Sequence, residues 1–175
     1  MINVAYLGIG GQGIVFAATI TGETLYKKNY YVAQLQNYGA SVRGGSVLGY
    51  VVADEKPIEN PFIEEFDVFI VLHEEGMKKW KWLVERSKLV VLDKDLVKTR
   101  IPNAKILPLS AEAEKAGLYQ ALNMVAVGLF FGITSIMGID EIVENLLKER
   151  KNYDTNLRAY LLGKQLAKHI GSKPQ

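Results

Sequence analysis

Residues Ile2-Asn3-Val4-Ala5-Tyr6-Leu7 run directly into Gly8-Ile9-Gly10-Gly11-Gln12-Gly13, and the reading of this junction decides the fold. The apolar run predicts a strand, the glycines a turn, and Ile14–Lys28 the helix that follows. A strand that turns through glycines into a helix is how α/β proteins offer backbone N–H groups and a positive helix end to an anion. In that arrangement Gly8 allows the tight turn, Gly10 the close approach of a ligand or partner backbone, and Gly13 close helix–strand packing. A second glycine element, Tyr38-Gly39 followed by Arg43-Gly44-Gly45, lies a short way downstream.

Outward from the junction, strands and helices alternate. Strands are expected at Tyr30–Gln36, Ser46–Ala53, Asp67–Leu72, Leu89–Leu92 and Ala104–Leu107, with a polar loop at Asp54–Pro61. Val68-Phe69-Ile70-Val71-Leu72 has no polar interruption, the mark of a strand buried on both faces. Glu74–Glu85 reads as a helix, and from Ser110 onward the pattern is helical. Ile139, Ile142, Val143, Leu146 and Leu147 form one apolar stripe, opened by Asp140 and Glu141 and closed by Lys148, Arg150 and Lys151 in keeping with the macrodipole. A last helix is expected at Tyr153–Ile170, and a frayed tail at Gly171–Gln175. The fold class is therefore α/β: a Rossmann-like three-layer sandwich with a mostly parallel sheet and a helical C-terminal third. Residues 1–175 are read as one domain.

Composition narrows the function. The chain has 175 residues, 49% of them hydrophobic, enough for one proper core. With 21 basic and 19 acidic residues the net charge is +2, too balanced for nucleic-acid binding by bulk electrostatics. There is no cysteine, hence no disulfide, no thiolate nucleophile and no thiolate ligand for an iron–sulfur cluster. No secretory signal is visible, and the expected location is cytoplasmic. Between Lys115 and Asp140 no charged residue occurs, which is long enough for a membrane span. Gln120, Asn123, Thr134 and Ser135, and the lack of flanking basic clusters, point instead to a helix buried in the core or at a subunit interface. On it, Gly128 and Gly132 are one turn apart and would admit another backbone.

The candidate site residues are Gly8, Gly10, Gly11, Gln12, Gly13, Tyr38, Arg43, Gly44, Gly45 and Asn123. Arg43 is the one candidate for a catalytic role, holding a phosphate or reactive anion; its other reading is a salt bridge. Gln12 brings an amide to the mouth of the loop, or is only a turn amide. A buried Asn123 needs hydrogen-bond partners and is either a ligand contact or a cap on a loop carbonyl. His73 follows a buried strand at the carboxyl edge of the sheet, where α/β proteins bind ligands, but it has no neighbouring ligand set and no metal site is expected. Lys78-Lys79-Trp80-Lys81-Trp82 reads as a helix face that packs on a neighbour while the lysines stay in water, in preference to a base-stacking surface. A nicotinamide site is disfavoured, because Ala33-Gln34-Leu35-Gln36 ends the second strand without a carboxylate for the ribose, and Glu23 falls inside the helix.

The glycine elements together with Asn123 in a glycine-containing apolar helix resemble the gamma subunit of 2-oxoacid:ferredoxin oxidoreductases over nearly the whole chain. That resemblance implies a complex in which thiamine diphosphate chemistry decarboxylates a 2-oxoacid, acyl-CoA is formed and ferredoxin is reduced. It implies alpha, beta and in some forms delta partner subunits, ferredoxin reached through the complex, and self-pairing into a homodimer as one form open to the isolated chain. Thiamine diphosphate, magnesium and iron–sulfur clusters are expected on the partners, since this chain has neither cysteine nor a Gly-Asp-Gly run. Its own roles would be to close the active site and help bind coenzyme A, the co-substrate. The form of the motifs inclines to 2-oxoglutarate, with pyruvate, branched-chain 2-oxoacids and indolepyruvate left open. The competing reading is an autonomous nucleotide-binding Rossmann-type oxidoreductase or regulatory domain.

Overall fold

A computed structural model describes residues 1–39 and 45–170. The expectation for the tail at 171–175 lies outside the described residues. The chain forms strand β1 (Ile2–Ile9), helix α1 (Ile14–Lys27), β2 (Tyr31–Tyr38), β3 (Ser46–Asp54), β4 (Val68–Val71), α2 (Met77–Arg86), β5 (Leu89–Asp93), β6 (Lys105–Leu107), and then α3 (Leu109–Lys115), α4 (Leu122–Thr134), α5 (Ile139–Lys148) and α6 (Tyr153–Ala167).

The six strands make one sheet in the order β2-β3-β1-β4-β5-β6. β1, β4, β5 and β6 are mutually parallel, with Val4 opposite Val68 and Leu7 opposite Val71. β3 runs antiparallel between β1 and β2, with Ile9 opposite Ser46 and Tyr38 opposite Val47. The mostly parallel sheet is thus observed, but β2 and β3 form a hairpin, and β3 occupies the place beside β1. A short connection between consecutive strands returns the chain antiparallel, whereas a parallel neighbour needs a crossover. β1, β3 and β4 are buried on both faces and carry near-continuous apolar sequence; β2, at the edge, is mostly exposed.

Alternate strand residues feed two cores. Val4, Tyr6, Val51, Val68 and Ile70 face a large cluster built with α1, α3, α4, α5 and α6. Ala5, Leu7, Tyr50, Val52, Phe69 and Val71 face a smaller one closed mainly by Met77, Trp80, Leu83 and Val84 of α2. Helices on both faces make the three layers.

The charge-free segment does not form one long helix. Gly117 at φ 69° and a 3-10 turn at Tyr119–Ala121 break it, and Ser135 at φ 51° ends α4. Thirteen residues rise about 20 Å, short of the ~30 Å of a bilayer core. Among the described residues no helix is long and apolar enough to cross a membrane. The backbone admitted by α4 is that of α6. A β-carbon on Gly128 would overlap the Tyr160 carbonyl oxygen, one on Gly132 would overlap the Ala167 methyl, and one on Gly163 would overlap the Val125 carbonyl oxygen.

Two helix ends differ from expectation. Glu74–Gly76 is a 3-10 turn that precedes α2; the Glu74 N–H bonds to the Leu96 carbonyl at 3.0 Å, and a β-carbon on Gly76 would overlap the Leu7 side chain. The last helix stops at Ala167. The N–H groups of Lys168, His169 and Ile170 instead bond to carbonyls three residues back.

Candidate functional site

The glycine loop is held from within. The Gln12 side chain folds inward: its Oε1 accepts from the Ile9 N–H at 2.9 Å and its Nε2 donates to the Leu72 carbonyl at 3.3 Å. Gly8, buried in β1, leaves room for this, since a β-carbon there would overlap Gln12 Oε1. Gln12 therefore fastens the loop to the end of β4, and its amide is already engaged at both ends. Gly13, at φ 70°, stands at the N-terminus of α1; its carbonyl accepts from the Ala17 N–H at 3.0 Å and from Asn123 Nδ2 at 3.2 Å. Asn123, 7% exposed, thus caps a loop carbonyl. Gly11 differs from the others. It is exposed, sits at φ 91°, and a β-carbon there would have nothing within 4 Å.

The two glycine elements meet, as the Gly10 N–H donates to the Gly45 carbonyl at 2.9 Å. At the other end of that connection the Gly39 N–H donates to the Ser46 carbonyl at 2.7 Å. Tyr38 ends β2, is 56% exposed, and its carbonyl takes a hydrogen bond from Lys79 Nζ at 3.0 Å. Arg43 and Gly44 lie outside the described residues. Among the described residues no side chain caps α1 and its first turn carries no acidic residue, so none of them neutralises the positive end of the helix.

β1 and β4 are parallel neighbours, but α1 leaves to one face of the sheet and α2 to the other, so the glycine loop sits at the topological switch point. The Leu72 N–H donates to the Leu7 carbonyl at 2.7 Å and fixes the β4 end against β1. His73 follows. Its Nδ1 accepts from the Glu75 N–H at 3.2 Å, which puts the ring hydrogen of the neutral imidazole on Nε2. Glu74 reaches away, accepting from the Lys98 N–H at 2.7 Å, the Thr99 N–H at 2.9 Å and the Thr99 hydroxyl. Partial burial pushes the Glu74 carboxyl up, but the Thr99 and Lys98 hydrogen bonds and the nearby His73 outweigh it and hold the group below its ordinary 4.5.

Two features escape a reading of the sequence. Glu74 clamps the stretch after β5, and fully buried Asp93 accepts from the Ser110 N–H (2.6 Å) and hydroxyl (2.8 Å) and from the N–H groups of Asp95 and Leu96. Neither contact has a spacing that announces it. The Lys/Trp segment divides: Trp80 is in the core and Trp82 is 48% exposed, while Lys78 and Lys81 pair with Glu75 and Glu85 on their own side. Among the described residues no group of three or more His, Cys, Asp or Glu is placed to hold a metal.

The class defined by fold and site is a doubly wound α/β protein with an open glycine tip at the switch point. It lacks the dinucleotide-enzyme layout: β3 separates the end of β2 from the loop, so even an acidic residue there would be a strand away. The chain belongs to the pyruvate ferredoxin/flavodoxin oxidoreductase family, whose profile matches residues 3–166. It is 30% identical to 2-oxoglutarate synthase subunit KorC of Methanocaldococcus jannaschii over 93% of this chain and 92% of that one. It is 28% identical to pyruvate synthase subunit PorC of Methanothermobacter marburgensis, covering 98% of this chain and all of that one. In fold it is similar to the keto/oxoacid ferredoxin oxidoreductase gamma subunit of Geobacter sulfurreducens (TM-score 0.78, 22% identity, 97% and 99% covered). It also superposes on one third of the Magnetococcus marinus 2-oxoglutarate:ferredoxin oxidoreductase chain, solved with 2-oxoglutarate, coenzyme A and succinyl-CoA bound (TM-score 0.82, 21% identity, 99% and 33% covered). The fold thus occurs both as a separate subunit and as part of a longer chain, and the gamma-subunit resemblance drawn from the glycine motifs holds.

Proposed function

We propose that this chain is the gamma subunit of a 2-oxoacid:ferredoxin oxidoreductase, with 2-oxoglutarate as the acid, and that its glycine loop helps hold coenzyme A. Residues 1–175 act as one gamma domain, working in the cytoplasm with alpha, beta and, where present, delta subunits. Gly11 carries the reading. It is a loop tip free of any side chain, beside an uncapped helix N-terminus, pinned from behind by Gln12, Asn123 and Gly45. The Gly10 and Gln12 N–H groups are taken by the Gly45 and Ile9 carbonyls, so the Gly11 N–H and the first N–H groups of α1 are the ones left among the described residues to meet a phosphoryl oxygen, and Arg43 would add a charge-assisted contact.

The donor set does not fit the redox groups of the reaction. A chain with no cysteine offers no thiolates to an iron–sulfur cluster and it has no Gly-Asp-Gly run, so clusters, and likewise thiamine diphosphate and magnesium, are assigned to the partners. This chain's work is to position the acceptor and exclude water where the acyl group is handed over. The 2-oxoglutarate preference is supported by the name of the relative at 30% identity.

The test is purification of the tagged chain from its host, followed by coenzyme-A-dependent dye reduction with a panel of 2-oxoacids. Co-purifying subunits with activity on 2-oxoglutarate are expected; activity on pyruvate, a branched-chain acid or indolepyruvate alone would replace the substrate. A chain recovered alone and inactive with every acid overturns the reading. In the active complex, Arg43→Ala should raise the KM for coenzyme A or lower kcat without dissolving the assembly. Unchanged kinetics would remove Arg43 from the site.

A further inference from the structure

His73 stands across the switch point from the glycine loop, and its imidazole is held without being used up. Leu72, its neighbour, receives Gln12 Nε2 at 3.3 Å and donates to Leu7 at 2.7 Å, so His73 is anchored to the same two strands that carry the loop. Gly76, pressed on Leu7, keeps the turn after His73 close to β1. The backbone of His73 is extended (φ −160°, ψ 142°), and the Glu75 N–H fixes the ring through Nδ1. Nε2 carries the hydrogen and has no partner among the described residues, and the residue is only half-buried. A ring oriented on one nitrogen with a free donor on the other is arranged to meet an acceptor. A purely capping role needs only Nδ1, which an asparagine or aspartate would supply.

The geometry points to His73 Nε2–H as a further ligand contact of the switch-point site, donating to a phosphoryl oxygen of coenzyme A held by the glycine loop. This rests on the coenzyme A reading above. His73 binds the co-substrate directly and takes no part in bond making, so its loss falls on binding and leaves the rate at saturation in place.

Two substitutions in the assembled complex separate the cap from the contact. H73N keeps an acceptor for the Glu75 N–H and deletes the distal donor; H73Q places an amide N–H near the Nε2 position and gives up the cap. H73N should raise the KM for coenzyme A about tenfold with unchanged kcat and unchanged melting temperature, as for the loss of one hydrogen bond to a charged group. H73Q should recover most of that KM with a lower melting temperature. A normal KM in H73N overturns the proposal. A Gly11→Val complex serves as the reference. If it loses coenzyme A affinity while H73N does not, only the role of His73 fails; if neither does, the coenzyme A reading fails as well. The wild-type complex gives an independent measure. The chain has two histidines, His73 and His169, and carbethoxylation followed by peptide mass spectrometry reads them separately. Coenzyme A at saturation should slow modification of His73 at least severalfold and leave His169 unchanged; equal rates at His73 with and without coenzyme A overturn the assignment.

Discussion

Glycine serves two opposite ends in this molecule. Between α4 and α6, Gly128, Gly132 and Gly163 let two backbones touch, and every β-carbon added there would overlap an atom of the facing helix. At the tip of the loop, Gly11 faces open space, and nothing in the described chain uses the room it leaves. The first set is consumed by the fold; the second is left free by it. Gly117 also faces open space at φ 69°, so the free room alone is not the signal; what sets Gly11 apart is its place at the switch point, in the loop proposed above to hold coenzyme A.

Substitutions can break this contrast or sharpen it. The largest effect is expected at Gly163→Ala, where the methyl would enter the Val125 carbonyl and neither helix backbone can yield cheaply. A loss of about 3 kcal/mol or more is expected, read as a large fall in melting temperature or failure to accumulate soluble protein. A wild-type melting curve would show that the two helices are not in backbone contact. Asn123→Ala removes the side-chain bond to Gly13 and leaves a small cavity under the loop, with an expected cost of about 1–2 kcal/mol in chemical denaturation. Gly11→Ala meets no atom and only strains a backbone at φ 91°, so it should cost about 1 kcal/mol in stability. Its effect on coenzyme A binding by the complex should be disproportionate to that cost, which is the sharpest form of the contrast.

The smallest effect concerns pH. Glu74 titrates lower in the folded chain than its ordinary 4.5, so its bonds to Lys98 and Thr99 contribute fully above that value. Their contribution is lost as pH falls through the depressed folded value and the carboxylate takes up a proton. Glu74→Gln should therefore be less stable than wild type at neutral pH, and the difference should shrink on acidification below about 4.5. A difference that stayed constant with pH would mean that the carboxylate charge contributes nothing.

Much of this architecture was legible in the sequence because parallel strands buried on both faces leave uninterrupted apolar runs, as at Val68–Val71 and in β1. The reading of Asn123 as a cap on a loop carbonyl follows from a general need, since a buried amide must be bonded to something. The pairing of β2 with β3 was not legible. The polar residues of β2 (Gln34, Gln36, Asn37) mark it as an edge strand, but nothing inside either strand says which neighbour it takes. Gln12 looks outward in the sequence and folds inward in the structure, because the Ile9 N–H and Leu72 carbonyl it satisfies are brought together only by the sheet. Glu23 reads as an ordinary helix residue. Its partner Arg150 belongs to the far end of the chain, and no local rule connects the two.

The contact between α4 and α6 also sets a timetable for synthesis. α4 is buried along almost its whole length, and the open sides of Gly128 and Gly132 lie against Tyr160, Lys164 and Ala167 of α6. On the ribosome α4 emerges first and α5 must follow before Gly163 can arrive. For that interval a helix without a single charge has its glycine flank bare, at the moment when hydrophobic surface most readily captures a neighbouring nascent chain or a chaperone. The joint where two backbones come closest is thus closed only after all six strands of the sheet have been made.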